Sequence, residues 1–183
     1  MKVITGSAKG CRLDMPRNND TRPTAARVKE SVFSIIQFEL EGRRVLDMFA
    51  GSGQMGIETL SRGAAAAVFV DENPAAIETI RQNLIKTKLE TNAEVVRTDY
   101  KSFLKFTKDK FDIAFLDPPY DKNILHSALT LVSGIMNEWA TIVCEHSPKE
   151  ILSETFGEFT KIKTHKYGQV AVSVYNNHTE DET

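Results

Sequence analysis

Phe111-Asp112-Ile113-Ala114-Phe115-Leu116-Asp117-Pro118-Pro119-Tyr120 is the stretch whose reading decides the fold. The first six residues, apolar except for Asp112, predict a buried strand. Two prolines then end it. Neither has a backbone N–H and both hold φ fixed, so the chain leaves at a stiff corner. That corner carries a carboxylate on one side and an aromatic ring on the other. In a parallel sheet it lies at the carboxyl edge, where open α/β sheets bind ligands. A carboxylate, fixed carbonyls and an aromatic face suit a flat ring bearing an amine, such as a nucleobase. Asp-Pro is also ordinary turn chemistry, so the reading turns on a second motif.

From residue 43 onward, strand and helix patterns alternate around this stretch. Strands are expected at Arg44–Met48, Ala67–Asp71, Glu94–Thr98, 111–117 and Ala140–Glu145. Helices are expected at Gln54–Arg62, from the Asn73 cap and Pro74 to Lys86, at Tyr100–Thr107, at 122–135 and at Pro148–Thr155. Phe159–Lys166, a Tyr167-Gly168 turn and Gln169–Tyr175 read as a hairpin. The fold class is therefore α/β, a Rossmann-like doubly wound sheet of about seven strands. It is mostly parallel, with an antiparallel C-terminal hairpin. Right-handed crossovers place every strand-to-helix loop on one edge. Those loops carry Asp47–Gly53, Asp71, Asp99 and Asp117, a lining of acids that serves a site better than a core.

Ahead of this lies an N-terminal hairpin over 2–14, a polar loop from Pro16 to Thr21, and a helix capped by Thr24 and running to about Leu40. In that helix Ala25, Val28, Val32, Ile35 and Ile36 are expected on the apolar face, with Arg27 and Lys29 elsewhere on its surface. Residues 1–40 are too few for a core of their own and read as a basic extension docked on a main domain of 41–176. Residues 177–183 read as a polar tail.

The chain has 183 residues, 41% hydrophobic and 26% charged, with a net charge of -2. That balance gives no whole-chain argument for a polyanionic partner, but its distribution does. Residues 1–29 hold Lys2, Lys9, Arg12, Arg17, Arg22, Arg27 and Lys29 against Asp14 and Asp20, a net of +5 on a body of about -7. A basic arm on an acidic body points to an anionic partner met by one face. Cys11 and Cys144 match no metal or redox spacing, and Cys144 reads as core. The four histidines show no ligand spacing, so no metal is expected. No apolar run is long enough to cross a bilayer, and no signal peptide is recognisable, which points to the cytoplasm.

The second motif is Asp47-Met48-Phe49-Ala50-Gly51-Ser52-Gly53, between the first strand and first helix. Residues 51–56 also satisfy GxGxxG, which makes a dinucleotide fold a rival. Asp47 argues against it, because a carboxylate there repels a pyrophosphate and attracts a cationic amino group. S-adenosylmethionine has that amino group, a sulfonium and no phosphate. Asp71 can accept ribose hydroxyls in either case. Asp99 is suited to an adenine amino group or to capping the next helix, with Tyr100 beside the ring.

Asp47–Gly53 together with Asp117–Tyr120 resembles the Rossmann-like S-adenosylmethionine-dependent methyltransferases that modify exocyclic amines of bases. Arg22-Pro23-Thr24, Arg27, Lys29-Glu30 and Phe33 ahead of the Leu46–Gly53 turn sharpen the resemblance to the RsmD family. It covers Val3 to about Tyr175. The resemblance implies methyl transfer from S-adenosylmethionine, with S-adenosylhomocysteine as product, to N2 of a guanine in 16S ribosomal RNA. The RNA would be met free or in a small-subunit assembly particle, by a monomer with no membrane contact. Asp117, Pro118, Pro119 and Tyr120 would hold the acceptor amine and stack on the base. Asp47, Phe49, Gly51, Gly53, Asp71, Asp99 and Tyr100 would hold the cofactor. Lys9, Arg12, Arg17, Arg22, Thr24 and Arg27 would hold RNA, with Arg22 and Thr24 alternatively closing over the cofactor. The rivals are another DNA or RNA amine methyltransferase, an NAD-dependent oxidoreductase, which leaves Asp117–Tyr120 unexplained, and a cofactor-binding protein without chemistry.

Overall fold

A computed structural model describes residues 1–16, 26–119 and 124–178. Arg17, Arg22, Thr24 and Tyr120 lie outside the described residues, as do most of the polar loop and the end of the tail.

The elements run α1 (Ala26–Ile35), β1 (Arg44–Met48), α2 (Gln54–Ser61), β2 (Ala66–Asp71), α3 (Pro74–Thr87), β3 (Ala93–Arg97), α4 (Tyr100–Phe106), β4 (Phe111–Leu116), α5 (Ile124–Ser133), β5 (Met136–His146), β6 (Thr155–Phe156), β7 (Phe159–Tyr167) and β8 (Val170–Asn176). Among the described residues the sheet has eight strands in the order β3-β2-β1-β4-β5-β8-β7-β6. The first five are parallel, and β8 enters antiparallel beside β5. The expected architecture is present, with the two-residue β6 as an additional strand.

Strands β1, β2 and β4 are covered on both faces, which is why they read as nearly continuous apolar runs. One face packs under α1, α2, α3 and the N-terminal hairpin, through Val45, Phe69, Ile113, Phe115 and Val143. The other packs under α5 through Leu46, Val68, Ala114, Ile142 and Cys144, with Leu125, Ala128, Leu129 and Val132 facing them. Gly56 sets how closely α2 approaches the sheet. A Cβ there would lie 2.3 Å from the Phe69 ring.

The N-terminal hairpin forms, with Lys2 and Arg12 bridged and Val3 exchanging backbone hydrogen bonds with Cys11 and Gly10 at 2.9 Å each. Its turn is fastened to the last residue of α2: Ser7 N–H donates to the Ser61 carbonyl, and Ala8 N–H to Ser61 Oγ. Farther along, buried Asn83 on α3 exchanges two bonds with the Asp14 backbone and donates to the Ser52 carbonyl in the glycine turn.

Three expectations are corrected. Helix α1 ends at Ile35 instead of near Leu40, and its buried face is rotated. Val28, Lys29, Val32, Phe33 and Ile36 are buried, while Ile35 is exposed. The spacing of 28, 32 and 36 is compatible with either flank of the helix, and Lys29 goes inward because Glu58 awaits it there. Residues 148–154 form no helix. The Leu152 and Ser153 carbonyls accept instead from Lys161 Nζ and Tyr175 Oη, tying the segment to the C-terminal hairpin. Finally, β5 begins at Met136, four residues ahead of Ala140.

Among the described residues, no helix is long and apolar enough to cross a membrane, and no group of three or more His, Cys, Asp or Glu could hold a metal.

Candidate active site

The site begins where β1 stops. Asp47, its fourth residue, is 4% exposed, and its Oδ2 accepts the Gly56 N–H at 2.8 Å. The acid thus caps an amide in the first turn of α2, which would otherwise lack a partner. Burial pushes the Asp47 carboxyl up to about 7, with Asp71 adding repulsion and the Gly56 bond and Lys29 opposing. Near neutral pH this carboxyl is poised between its two forms, so a cation placed beside it would draw it to the ionised one.

Between Asp47 and α2 the chain turns through Phe49, Gly51 and Gly53, all with left-handed φ, at 62°, 56° and 75°. Glycine meets that demand without strain at 51 and 53. Asp71, at the end of β2, fixes the turn: its Oδ2 accepts the Gly51 N–H at 2.9 Å and its Oδ1 the Asn73 N–H at 2.8 Å. Phe49, left-handed without being glycine, packs its ring against Tyr100, the centroids 5.4 Å apart. This ring pair walls the β3 side of the turn. Asp99 caps α4, accepting the Ser102 N–H at 3.0 Å; hydrogen bonding from the Ser102 side chain first, and from that amide second, holds its carboxyl below the usual range. The cap does not exclude a ligand at an exposed carboxylate, which has further lone pairs.

On the other side of Asp47, β4 delivers the proline corner. Asp117 is half-buried, Pro118 buried and Pro119 exposed. A small cavity of about 30 Å³ lies under α1, bounded by Asp47, Asp117 and Glu145 and by Val32, Met55 and Val172. It is about the size of one water and marks where three carboxylates converge. A larger open cleft of about 520 Å³ lies between α5 and the segment after β5, lined by His126, Ser127, Glu150, Ile151 and Leu152. Both follow the carboxyl ends of β4 and β5, so the cleft opens on the same edge of the sheet.

The structure therefore gathers Asp47, Phe49, Gly51, Gly53, Asp71, Tyr100, Asp99, Asp117 and Pro118 along one edge. It does not bring Lys9 there. Lys9 lies in the turn fastened to Ser61, and α2 runs from the carboxyl edge to the opposite one. Arg12 and Arg27 are exposed, on the hairpin and on the first turn of α1. Lys29, counted in the basic arm, is 1% exposed and paired with Glu58, so it offers no charge to a partner. Glu145 and Met55 were missed. Glu145 carried a signal: it follows the apolar run Ala140–Cys144, the pattern that singled out Asp47, Asp71 and Asp117.

A sheet in this order, with a glycine turn after β1, an acid after β2 and Asp-Pro-Pro after β4, is that of a class I methyltransferase. The family model described as "Conserved hypothetical protein 95" matches residues 1–176. "Putative rRNA methyltransferase YlbH" of Bacillus subtilis is 40% identical over 180 residues, 96% of this chain and 98% of that protein. Ribosomal RNA small subunit methyltransferase D of Escherichia coli is 30% identical over 185 residues, 100% and 93% of the two chains. The solved structure of "Putative methyltransferase yhhF" from Escherichia coli superposes with a TM-score of 0.85 at 30% identity, over 98% of this chain and 99% of that one. The chain belongs to this family, the RsmD family of ribosomal RNA methyltransferases.

The methyl donor expected from the two motifs is S-adenosylmethionine. The residues present fit it: a buried acid suits its amino group, an acid at the end of β2 its ribose, and an aromatic pair its adenine.

Proposed function

We propose that this protein methylates the exocyclic N2 amine of a guanine in small-subunit ribosomal RNA, using S-adenosylmethionine. The observation that carries this reading is the convergence of Asp47 and Asp117 on one cavity at the ends of the adjacent strands β1 and β4. One acid serves a cationic donor and the other an amine acceptor. The family's small-subunit methyltransferases support the choice of RNA.

The cofactor supplies an electrophilic methyl group on a sulfonium. Asp47 meets the donor's amino group, Asp71 its ribose hydroxyls, and Phe49 with Tyr100 its adenine. Transfer is an in-line displacement, so positioning supplies most of the catalysis. The guanine N2 is a poor nucleophile because its lone pair is delocalised into the ring. Asp117 and the Pro118 carbonyl accept its two hydrogens, favouring a pyramidal nitrogen with the lone pair aimed at the methyl. As the C–N bond forms and the C–S bond breaks, positive charge develops on N2 beside the Asp117 carboxylate, which stabilises it and takes the departing proton. Tyr120 stacks on the base, contributing about 1–3 kcal/mol. The base reaches this edge only by leaving its stack, and the cleft beside α5 gives the adjoining RNA room.

The test is mass mapping of small-subunit RNA from cells lacking the protein. Loss of one N2-methylguanine, restored by adding purified protein and S-adenosylmethionine, is the expected result. An unchanged set of methylated guanines overturns it.

A further inference from the structure

Glu145 occupies the position on β5 next to the proline corner. Leu116 of β4 pairs with Cys144 of β5 in parallel register, so Asp117 and Glu145 follow as the next residues on neighbouring strands. Both line the cavity under α1 that Asp47 also reaches, and on the far side Glu145 is paired with Val172 of β8. Two carboxylates thus stand side by side at the corner proposed above to hold the acceptor base.

We infer that Glu145 is the residue that selects guanine, by accepting the N1–H while Asp117 engages N2; this rests on the guanine-N2 reading above. The reason lies in the edges of the bases. In guanine the exocyclic amine is flanked by a ring N–H, so two donors are adjacent. In adenine and cytosine the amine is flanked by a bare ring nitrogen, an acceptor. A second carboxylate beside Asp117 completes a hydrogen bond with guanine and confronts a lone pair on either of the others. Sites built to bond a substrate N–H reject analogues lacking it far more strongly than apolar pockets reject a change of shape. Asp117 by itself recognises any base amine, whereas the pair recognises an amine with a donor next to it.

The experiment replaces the mapped guanine by 2-aminopurine, which keeps the 2-amino group and has a bare N1. The small-subunit RNA is used free or reconstituted into particles, whichever the wild-type protein methylates. The wild type should prefer guanine by about 30-fold or more in kcat/KM. Glu145→Gln, whose amide can donate to a bare N1, should lose about tenfold or more on guanine, with the preference collapsing towards unity. Glu145→Asp, which keeps the carboxylate, should be slower but retain the preference. S-adenosylmethionine binding, followed by calorimetry, should be unchanged in both variants. A wild type indifferent to the replacement overturns the inference. So does a Glu145→Gln variant that loses both substrates equally, which would make Glu145 a structural support. If mass analysis shows that the wild type places no methyl on guanine N2, the proposed function fails as well, and that failure is seen before any variant is made.

Discussion

Lys29 Nζ on α1 lies 2.9 Å from Glu58 Oε2 on α2, with the two side chains 1% and 0% exposed. Glu58 also accepts the Ile4 and Thr5 N–H groups and Arg62 Nε. Burial opposes its charge, but Lys29, the Ile4 amide and Arg62 together hold its carboxyl below the usual range. One acid on α2 therefore fixes both the first strand of the hairpin and helix α1, which covers the cavity beside Asp117. Removing one partner of such a buried pair costs about 3–5 kcal/mol. Lys29→Met should lower stability by roughly that amount in urea titrations, and Ile4 and Thr5 should lose protection from hydrogen exchange. A change below about 0.5 kcal/mol would show that the pair does not anchor the arm.

Asp47 gives a pH signature. Its folded-state value, about 7, lies above the unfolded value of about 3.9. Between the two, the folded protein binds more protons, so stability falls as pH rises through that window. The unliganded wild type should lose stability between about pH 4 and pH 7 relative to Asp47→Asn, in which this contribution is absent. Binding a cationic donor favours the ionised acid, so affinity for S-adenosylmethionine should rise from about pH 6 to pH 7 in the wild type. The Asn variant should bind more weakly and show no such rise. Calorimetry across this range checks both.

Gly56 tests the packing of α2 on the sheet. The Cβ of Gly56→Ala would sit 2.3 Å from the Phe69 ring, and overpacking of this kind costs about 1–3 kcal/mol. Adding Phe69→Leu should restore part of the loss. Thermal melts of the single and double variants measure it.

On the proposed role of Asp117 at the acceptor amine, Asp117→Ala should cut the methylation rate by about a hundredfold or more while S-adenosylmethionine still binds. Single-turnover rates and calorimetry separate the two effects. Equal loss of both would make Asp117 structural.

Lys9 and Arg27 separate the two ends of the arm. Lys9 is fastened near the far end of α2, so Lys9→Glu should leave the salt dependence of RNA binding unchanged. Arg27→Glu should lower the slope by about one contact. Filter binding over a salt series reads both.

Much of the fold is local in origin and therefore legible. The apolar runs that become β1, β2 and β4, the Asn73-Pro74 start of α3 and the glycine turn after Asp47 follow from backbone sterics and short-range periodicity. The acids at the strand ends were legible for the same reason, and Glu145 obeys the same pattern. Residues 148–154 were misread because their carbonyls are claimed by Lys161 and Tyr175, partners that no local rule contains.

The amino-acid order by itself determined the wound sheet, its carboxyl edge and the two motifs that meet there, since each depends on neighbours within a few positions. Only the tertiary structure decided that Lys29 turns inward, that Lys9 sits at the far edge and that Glu145 stands beside Asp117. A helix pattern leaves its buried face open by a residue, and strand pairing joins positions far apart in the chain. Burial and pairing energies between distant residues settle both, and those energies exist only once the chain is folded.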